Sequence, residues 1–139
     1  MTEVPAALHA AYAGARYAVQ LDDGWREFRV GKADATLDNA LRRFGCRQHW
    51  HYLTPFNPGS IAACPLGDGA VLDHCAARIR ARDWPHLPAY SENDDGDWHE
   101  PGFVVLDVAP LEVEACARDL GQLAIVHAAL GAAPTLVWL

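Results

Sequence analysis

Three polar side chains, Thr54, Asn57 and Ser60, sit in the segment Thr54-Pro55-Phe56-Asn57-Pro58-Gly59-Ser60, directly after the strand-like run His51-Tyr52-Leu53. Pro55 and Pro58 fix φ, while Asn57 and Gly59 suit turns, so the segment would hold those hydroxyl and amide groups in set directions. Polar groups held at the carboxyl end of a strand orient ligands, and α/β proteins place their sites there. A second polar stretch, Glu92-Asn93-Asp94-Asp95-Gly96-Asp97-Trp98-His99-Glu100, clusters carboxylates as hard cations require. Its spacing does not make a calcium loop: with Gly96 at the sixth position, Gly102 would stand at the twelfth, where a bidentate Glu is needed. The stretch reads as a solvated acidic loop, or as one in which Asp97 or Glu100 meets a cationic or hydroxyl-bearing partner.

Other reactive residues form no complete set. His49 and His51 alternate along an extended run and share a face, yet two imidazoles do not complete a metal site and no third ligand stands at a telling distance. Ser60 lacks a Gly-x-Ser-x-Gly elbow, and Cys64 precedes Pro65 without a companion His at a familiar spacing. Gly67-Asp68-Gly69 precedes a helix without the Lys of a phosphate-binding loop, which leaves Asp68 as a helix cap. No catalytic residue, metal or cofactor is assigned on these grounds.

The elements that must position these groups follow from periodicity. Pro5 can start a short helix carrying Leu8 and Tyr12, and Asp22-Asp23-Gly24 then joins two β-prone runs, 16–21 and 25–30, as a hairpin. Asp34 or Thr36 caps a helix with Leu37, Ala40, Leu41 and Phe44 on one face, and Gly45 ends it. The run 49–54 is an aromatic-rich strand, followed by a helix with Val71, Leu72, Cys75, Ala76 and Ile79 inward. Pro85 and Pro88 demote 86–90 to an edge strand or loop. A continuous apolar strand at 102–108, a helix opened by Pro110 with Val113, Cys116, Ala117 and Leu120 buried, a strand at 123–127 and a return at 135–139 complete the chain. Strand-helix-strand occurs twice, at 49–90 and 102–127, so the expectation is an α+β, α/β-like fold with a mixed, partly parallel sheet of about six strands and packed helices.

With 139 residues and about half of them apolar, residues 1–139 suit a single globular domain with a real core. The N-terminal Met1-Thr2-Glu3-Val4-Pro5 is unlike a secretory leader and no apolar run approaches a membrane span, so a cytoplasmic location is expected. Widely spaced Cys46, Cys64, Cys75 and Cys116 read as reduced thiols. The net charge of −7 is concentrated late: after Arg82 only Arg118 is basic, against ten acids. That balance disfavours nucleic acid, and Arg78, Arg80 and Arg82 read as a solvated helix end. The apolar Thr135-Leu136-Val137-Trp138-Leu139 suits either an interior strand or the edge of a homodimer.

Three motifs in register, Leu53-Thr54-Pro55-Phe56-Asn57-Pro58, the acidic run ending Asp97-Trp98-His99-Glu100, and Leu120-Gly121-Gln122-Leu123-Ala124-Ile125-Val126, resemble the bacterial family called domain of unknown function 3293 over nearly the whole chain, from about Ala11 to Trp138. Pro55 and Leu123 depart from that family's pattern, and its Glu-Asn-Arg set is not recognisable between Gly67 and His74. The resemblance implies positions rather than an activity: Thr54, Asn57, Pro58, Asp97, Trp98, Glu100, Gly121 and Gln122. With Ser60 from the loop, the candidate ligand-binding set is Thr54, Asn57, Ser60, Asp97, Trp98, Glu100 and Gln122. The expectation is a non-enzymatic domain that binds a small polar ligand or a protein partner. The alternative is a small hydrolase using Asp97 or Glu100 as general base, with Thr54 and Asn57 orienting substrate.

Overall fold

A computed structural model of the chain describes residues 6–56, 68–93 and 99–139. In chain order these form α1 (Ala6–Ala13), β1 (Arg16–Leu21), β2 (Gly24–Phe28), α2 (Ala35–Arg43), β3 (His49–Leu53), α3 (Asp68–Ala81), β4 (His86–Glu92), β5 (Glu100–Leu106), α4 (Pro110–Asp119), β6 (Ala124–Ala129) and β7 (Thr135–Trp138). The strands make one seven-stranded sheet in the order β2-β1-β4-β5-β3-β6-β7. Every neighbouring pair is antiparallel, and the sheet curls into a half-barrel.

The mixed, partly parallel sheet of about six strands expected from the sequence is therefore incorrect, and the reason lies in strand adjacency. The β3-α3-β4 and β5-α4-β6 units do return their second strand in the direction of the first. Each crossover skips one place, and an antiparallel strand occupies the gap: β5 lies between β4 and β3, and β3 lies between β5 and β6. Two split crossovers, each interleaved with the other, give an all-antiparallel ladder.

β4 is the second correction, since it is interior rather than an edge or loop. The Leu106 N–H donates to the Pro85 carbonyl at 2.9 Å, which fixes the alternation of hydrogen-bonded pairs along β4 and β5. Pro88 falls opposite Phe103 in a non-hydrogen-bonded pair, so its nitrogen points away from β5. On that other side β1 pairs only as far as Ala89. The missing N–H of Pro88 thus costs no ladder bond. Pro101 is placed alike, facing past Leu53, where β3 stops pairing.

Alternation on the strands sends side chains to two cores. Trp50, Tyr52, Val104, Val126 and Ala128 pack with Tyr17, Phe28 and the α2 residues Leu37, Ala40 and Leu41 on one face. On the other, Leu53, Phe103, Val105 and Ile125 meet Cys75, Ala76 and Ile79 of α3 and Val113, Cys116 and Ala117 of α4. Phe44, expected on the buried face of α2, instead stands at its C-cap, exposed. Cys46, Cys75 and Cys116 are buried free thiols, and Cys64 lies outside the described residues. β7 forms one edge of the sheet, paired with β6 alone. No helix among the described residues is long and apolar enough to cross a membrane.

Asp34 caps α2, accepting from the N–H groups of Thr36 at 3.1 Å and Leu37 at 3.2 Å, and it also receives a two-pronged bond from Arg26 at 3.0 Å. The Arg26 bond is the main force holding its carboxyl below the usual range; burial opposes it and the two backbone donors reinforce it. Asp34→Ala is expected to cost about 1 kcal/mol at pH 7, chiefly the lost cap. Because the folded pKa is depressed, the charge-dependent part of that contribution is whole above the unfolded value of about 3.9 and is lost as pH falls through the folded value. Urea midpoints of wild type and variant should draw closer between pH 4 and the folded pKa; an unchanging difference would remove the charge from the account.

Candidate functional site

Between α1 and the curled face of the sheet lies a cavity of about 330 Å³. Its walls take Tyr12 from α1, Tyr17 from β1, Tyr52 from β3, Ser91 and Glu92 from β4, Glu100 from β5 and Gln122 from the α4–β6 turn. Thr54, just past β3, and Asn93, just past β4, complete the polar lining, while Val126 and Leu136 supply apolar wall.

Three of the residues singled out from the sequence, Thr54, Glu100 and Gln122, meet at this cavity. The buried Thr54 hydroxyl donates to the Pro101 carbonyl at 2.7 Å and accepts from the Phe56 N–H at 3.2 Å. Gln122, also buried, donates through Nε2 to the Phe56 carbonyl at 2.9 Å. The two side chains therefore hold the backbone of Phe56 from both sides, and they tie the end of β3 to the start of β5 and to the α4–β6 turn. Among the described residues, one member of each motif, Thr54, Glu100 and Gln122, lines the cavity, and the bonds made by Thr54 and Gln122 run from side chain to backbone. Asn57, Pro58, Ser60, Asp97 and Trp98 lie outside the described residues.

Close approach completes the arrangement. A Cβ at Gly102 would collide with the Leu53 carbonyl and come within 3.1 Å of the Thr54 Cα. Only glycine lets β5 come this near the end of β3.

Among the described residues the cavity is lined by the carboxylates of Glu92 and Glu100 and by no Lys, Arg or His. Glu92 is paired with Arg16 at 2.8 Å and lies 3.2 Å from His99 Nδ1. The Tyr52 hydroxyl donates to the Glu100 carbonyl at 2.7 Å and lies 3.1 Å from Ser91 Oγ. Burial pushes the Tyr12 phenol up to about 12, and the charge of Glu100 adds to this. Burial likewise raises Tyr17 and Tyr52, again with the Glu100 carboxylate contributing. Three neutral phenols thus feel one carboxylate charge. Asn93 Oδ1 is buried with no hydrogen-bond partner among the described residues.

A family profile described as "Protein of unknown function (DUF3293)" covers residues 53–125, from the last residue of β3 into β6. The chain belongs to the DUF3293 family. The matched span is narrower than the resemblance drawn from the sequence, but it contains the first two motifs and the third as far as Ile125. Searches of curated proteins and of solved structures returned no match. Within this DUF3293 chain the family span encloses Thr54, Phe56, Glu100, Gly102 and Gln122, the residues that pin the cavity's polar end.

A second cluster was missed in the sequence. The third imidazole absent from the pairing of His49 with His51 is His127, which stands directly opposite His51 on β6. The Leu130 N–H bond to the Gln48 carbonyl sets the alternation, and places His51 and His127 in a non-hydrogen-bonded pair, where side chains approach most closely. Their ring centroids are 4.6 Å apart, and His49 Nδ1 lies 3.2 Å from His127 Nε2. The parity of 49, 51 and 127 was legible, but the adjacency of β3 and β6 was not. Tyr52 and Val126, next in sequence to His51 and His127, face the opposite side of the sheet and line the cavity.

Proposed function

We propose that this DUF3293 chain is a small-molecule binding domain whose cavity takes a neutral or cationic ligand with an apolar body and a hydrogen-bond-donating head. The observation that carries the reading is the lining: three tyrosines and aliphatic wall beside Glu100, with Asn93 Oδ1 as an acceptor and no basic side chain among the described residues. The charge of Glu100 reaches the half-buried phenol of Tyr12 and the buried phenols of Tyr17 and Tyr52, and a carboxylate and aromatic faces both favour a cation over an anion. The volume suits the lower end of small-molecule sites. A non-enzymatic role is favoured because the Thr54 hydroxyl is already engaged at both its donor and acceptor sides. The hydrolytic alternative keeps Glu100 as its base and would draw on Asp97 and Asn57.

Thermal-shift and calorimetric screening against matched small amines, carboxylates and neutral aromatics tests the reading. Amines and neutral compounds should raise Tm by a few degrees, roughly what saturation at many times Kd provides, while the carboxylates should not. Ala124→Phe, which fills the cavity from β6, should abolish the shift without lowering Tm in the absence of ligand by more than about 5 °C. Glu100→Gln should erase the preference for amines over neutral compounds. Preferential binding of carboxylates would overturn the proposal, and turnover of a bound ester or amide would replace it with the hydrolytic one.

A further inference from the structure

We propose that His49, His51 and His127 form a binding site for one divalent transition-metal ion of the zinc class. One donor atom from each ring can be chosen so that all three lie within 4.8 Å of one another. Zinc binds imidazole nitrogen at about 2.0–2.1 Å, which in a tetrahedral shell puts neighbouring nitrogens about 3.3 Å apart. His49 Nδ1 and His127 Nε2 already stand at 3.2 Å. Rotation of the His51 ring about its side-chain torsions is the adjustment that remains.

Burial and charge point the same way. His51 is 1% exposed, and its Nδ1 has no hydrogen-bond partner among the described residues. An orphaned polar atom at such a depth is costly unless something coordinates it. His49 and His127 are partly exposed and give an ion a way in. Two acids among the described residues bear on the cluster: Glu114 of α4, 3.7 Å from Arg118, acts on His127, and Asp107 at the β5–α4 corner accepts from the His49 N–H. Both favour a cation. Three nitrogen donors without a carboxylate among them disfavour magnesium and calcium, which require oxygen. Three protein ligands also leave a coordination position for water or a small anion.

The full-length chain, prepared without a polyhistidine tag and stripped with chelator, should take up one equivalent of zinc by calorimetry. Cobalt(II) in its place should give the visible absorption of a tetrahedral nitrogen-ligated ion. Saturating zinc should raise Tm on the order of 8 °C when present at 100 times its dissociation constant. His49→Ala and His127→Ala, at the more exposed positions, should each weaken zinc binding by at least about 100-fold while keeping the wild-type circular dichroism and a cooperative melt without metal. Folded wild type that binds neither ion overturns the proposal. So does zinc binding that survives in both variants, because the ion would then sit elsewhere. The inference does not depend on the cavity: Ala124→Phe should leave zinc binding unchanged.

Discussion

Gly102→Ala is expected to destabilise the protein by about 3 kcal/mol and to be the most damaging single methyl in the sheet. The added carbon has nowhere to go. It meets the Leu53 carbonyl and the Thr54 Cα, which are backbone atoms, so no rotamer change relieves the contact. β5 must instead move away from β3, and these two strands are at the centre of the ladder, with β4 on one side and β6 on the other. The same movement would stretch the 2.7 Å bond from Thr54 to the Pro101 carbonyl and, through Phe56, loosen the Gln122 contact. Stability and cavity shape should therefore fail together. Urea unfolding at pH 7 measures the first effect, and ligand-induced thermal shift on the surviving folded protein measures the second. A midpoint within about 1 kcal/mol of wild type would mean that the strands do not approach as described.

This close approach also marks what could be read from the sequence. Element types were legible because they rest on local chemistry: Asp34 caps α2, Pro110 opens α4, and the Cys75-Ala76-Ile79 and Val113-Cys116-Ala117 stripes are buried where helical period puts them. Strand order was not legible, because it depends on which strand fills the gap beneath a crossover, and a right-handed crossover is satisfied whether or not the gap is empty. One adjacency decided three outcomes. Placing β3 between β5 and β6 removed the parallel pairs, brought His127 beside His51, and put Gly102 against Leu53. Pro88 misled for a related reason, since a proline is excluded from a strand only where its nitrogen faces a paired neighbour. Of the candidate polar set, Thr54, Glu100 and Gln122 fall at one cavity, but their bonding was not readable. Thr54 and Gln122 direct their hydrogen bonds at the backbone of Phe56 and Pro101, which makes them the frame of the cavity before anything else.

Asp107→Ala should cost about 2 kcal/mol, a second large loss, and it tests how the histidine cluster is held. Asp107 is left-handed, at φ 58°, and its carboxylate accepts from the N–H groups of Arg47 at 2.8 Å, Gln48 at 2.8 Å and His49 at 3.2 Å. Its own N–H donates to the His49 carbonyl at 2.8 Å, so the first residue of β3 is gripped at both its donor and its acceptor. Burial pushes the Asp107 carboxyl up, yet the three backbone donors outweigh it and the net direction is down. The side chain is exposed, so water can partly replace it, and three charge-assisted bonds contribute less than their sum. Alanine loses the acceptors and also tolerates the left-handed backbone poorly, whereas aspartate and asparagine adopt it more readily. The variants should therefore rank Asn, then Gly, then Ala in increasing cost: asparagine keeps one acceptor oxygen, and glycine relieves only the backbone. Equal stability of Asn, Gly and Ala in urea would remove the carboxylate clamp from the account. Because His49 takes its position from this clamp, Asp107→Ala should also weaken zinc binding by about 10-fold in protein that remains folded, a smaller loss than removal of an imidazole. A positioning residue acts through the ligand it holds, and the intermediate size of that loss distinguishes it from a ligand itself.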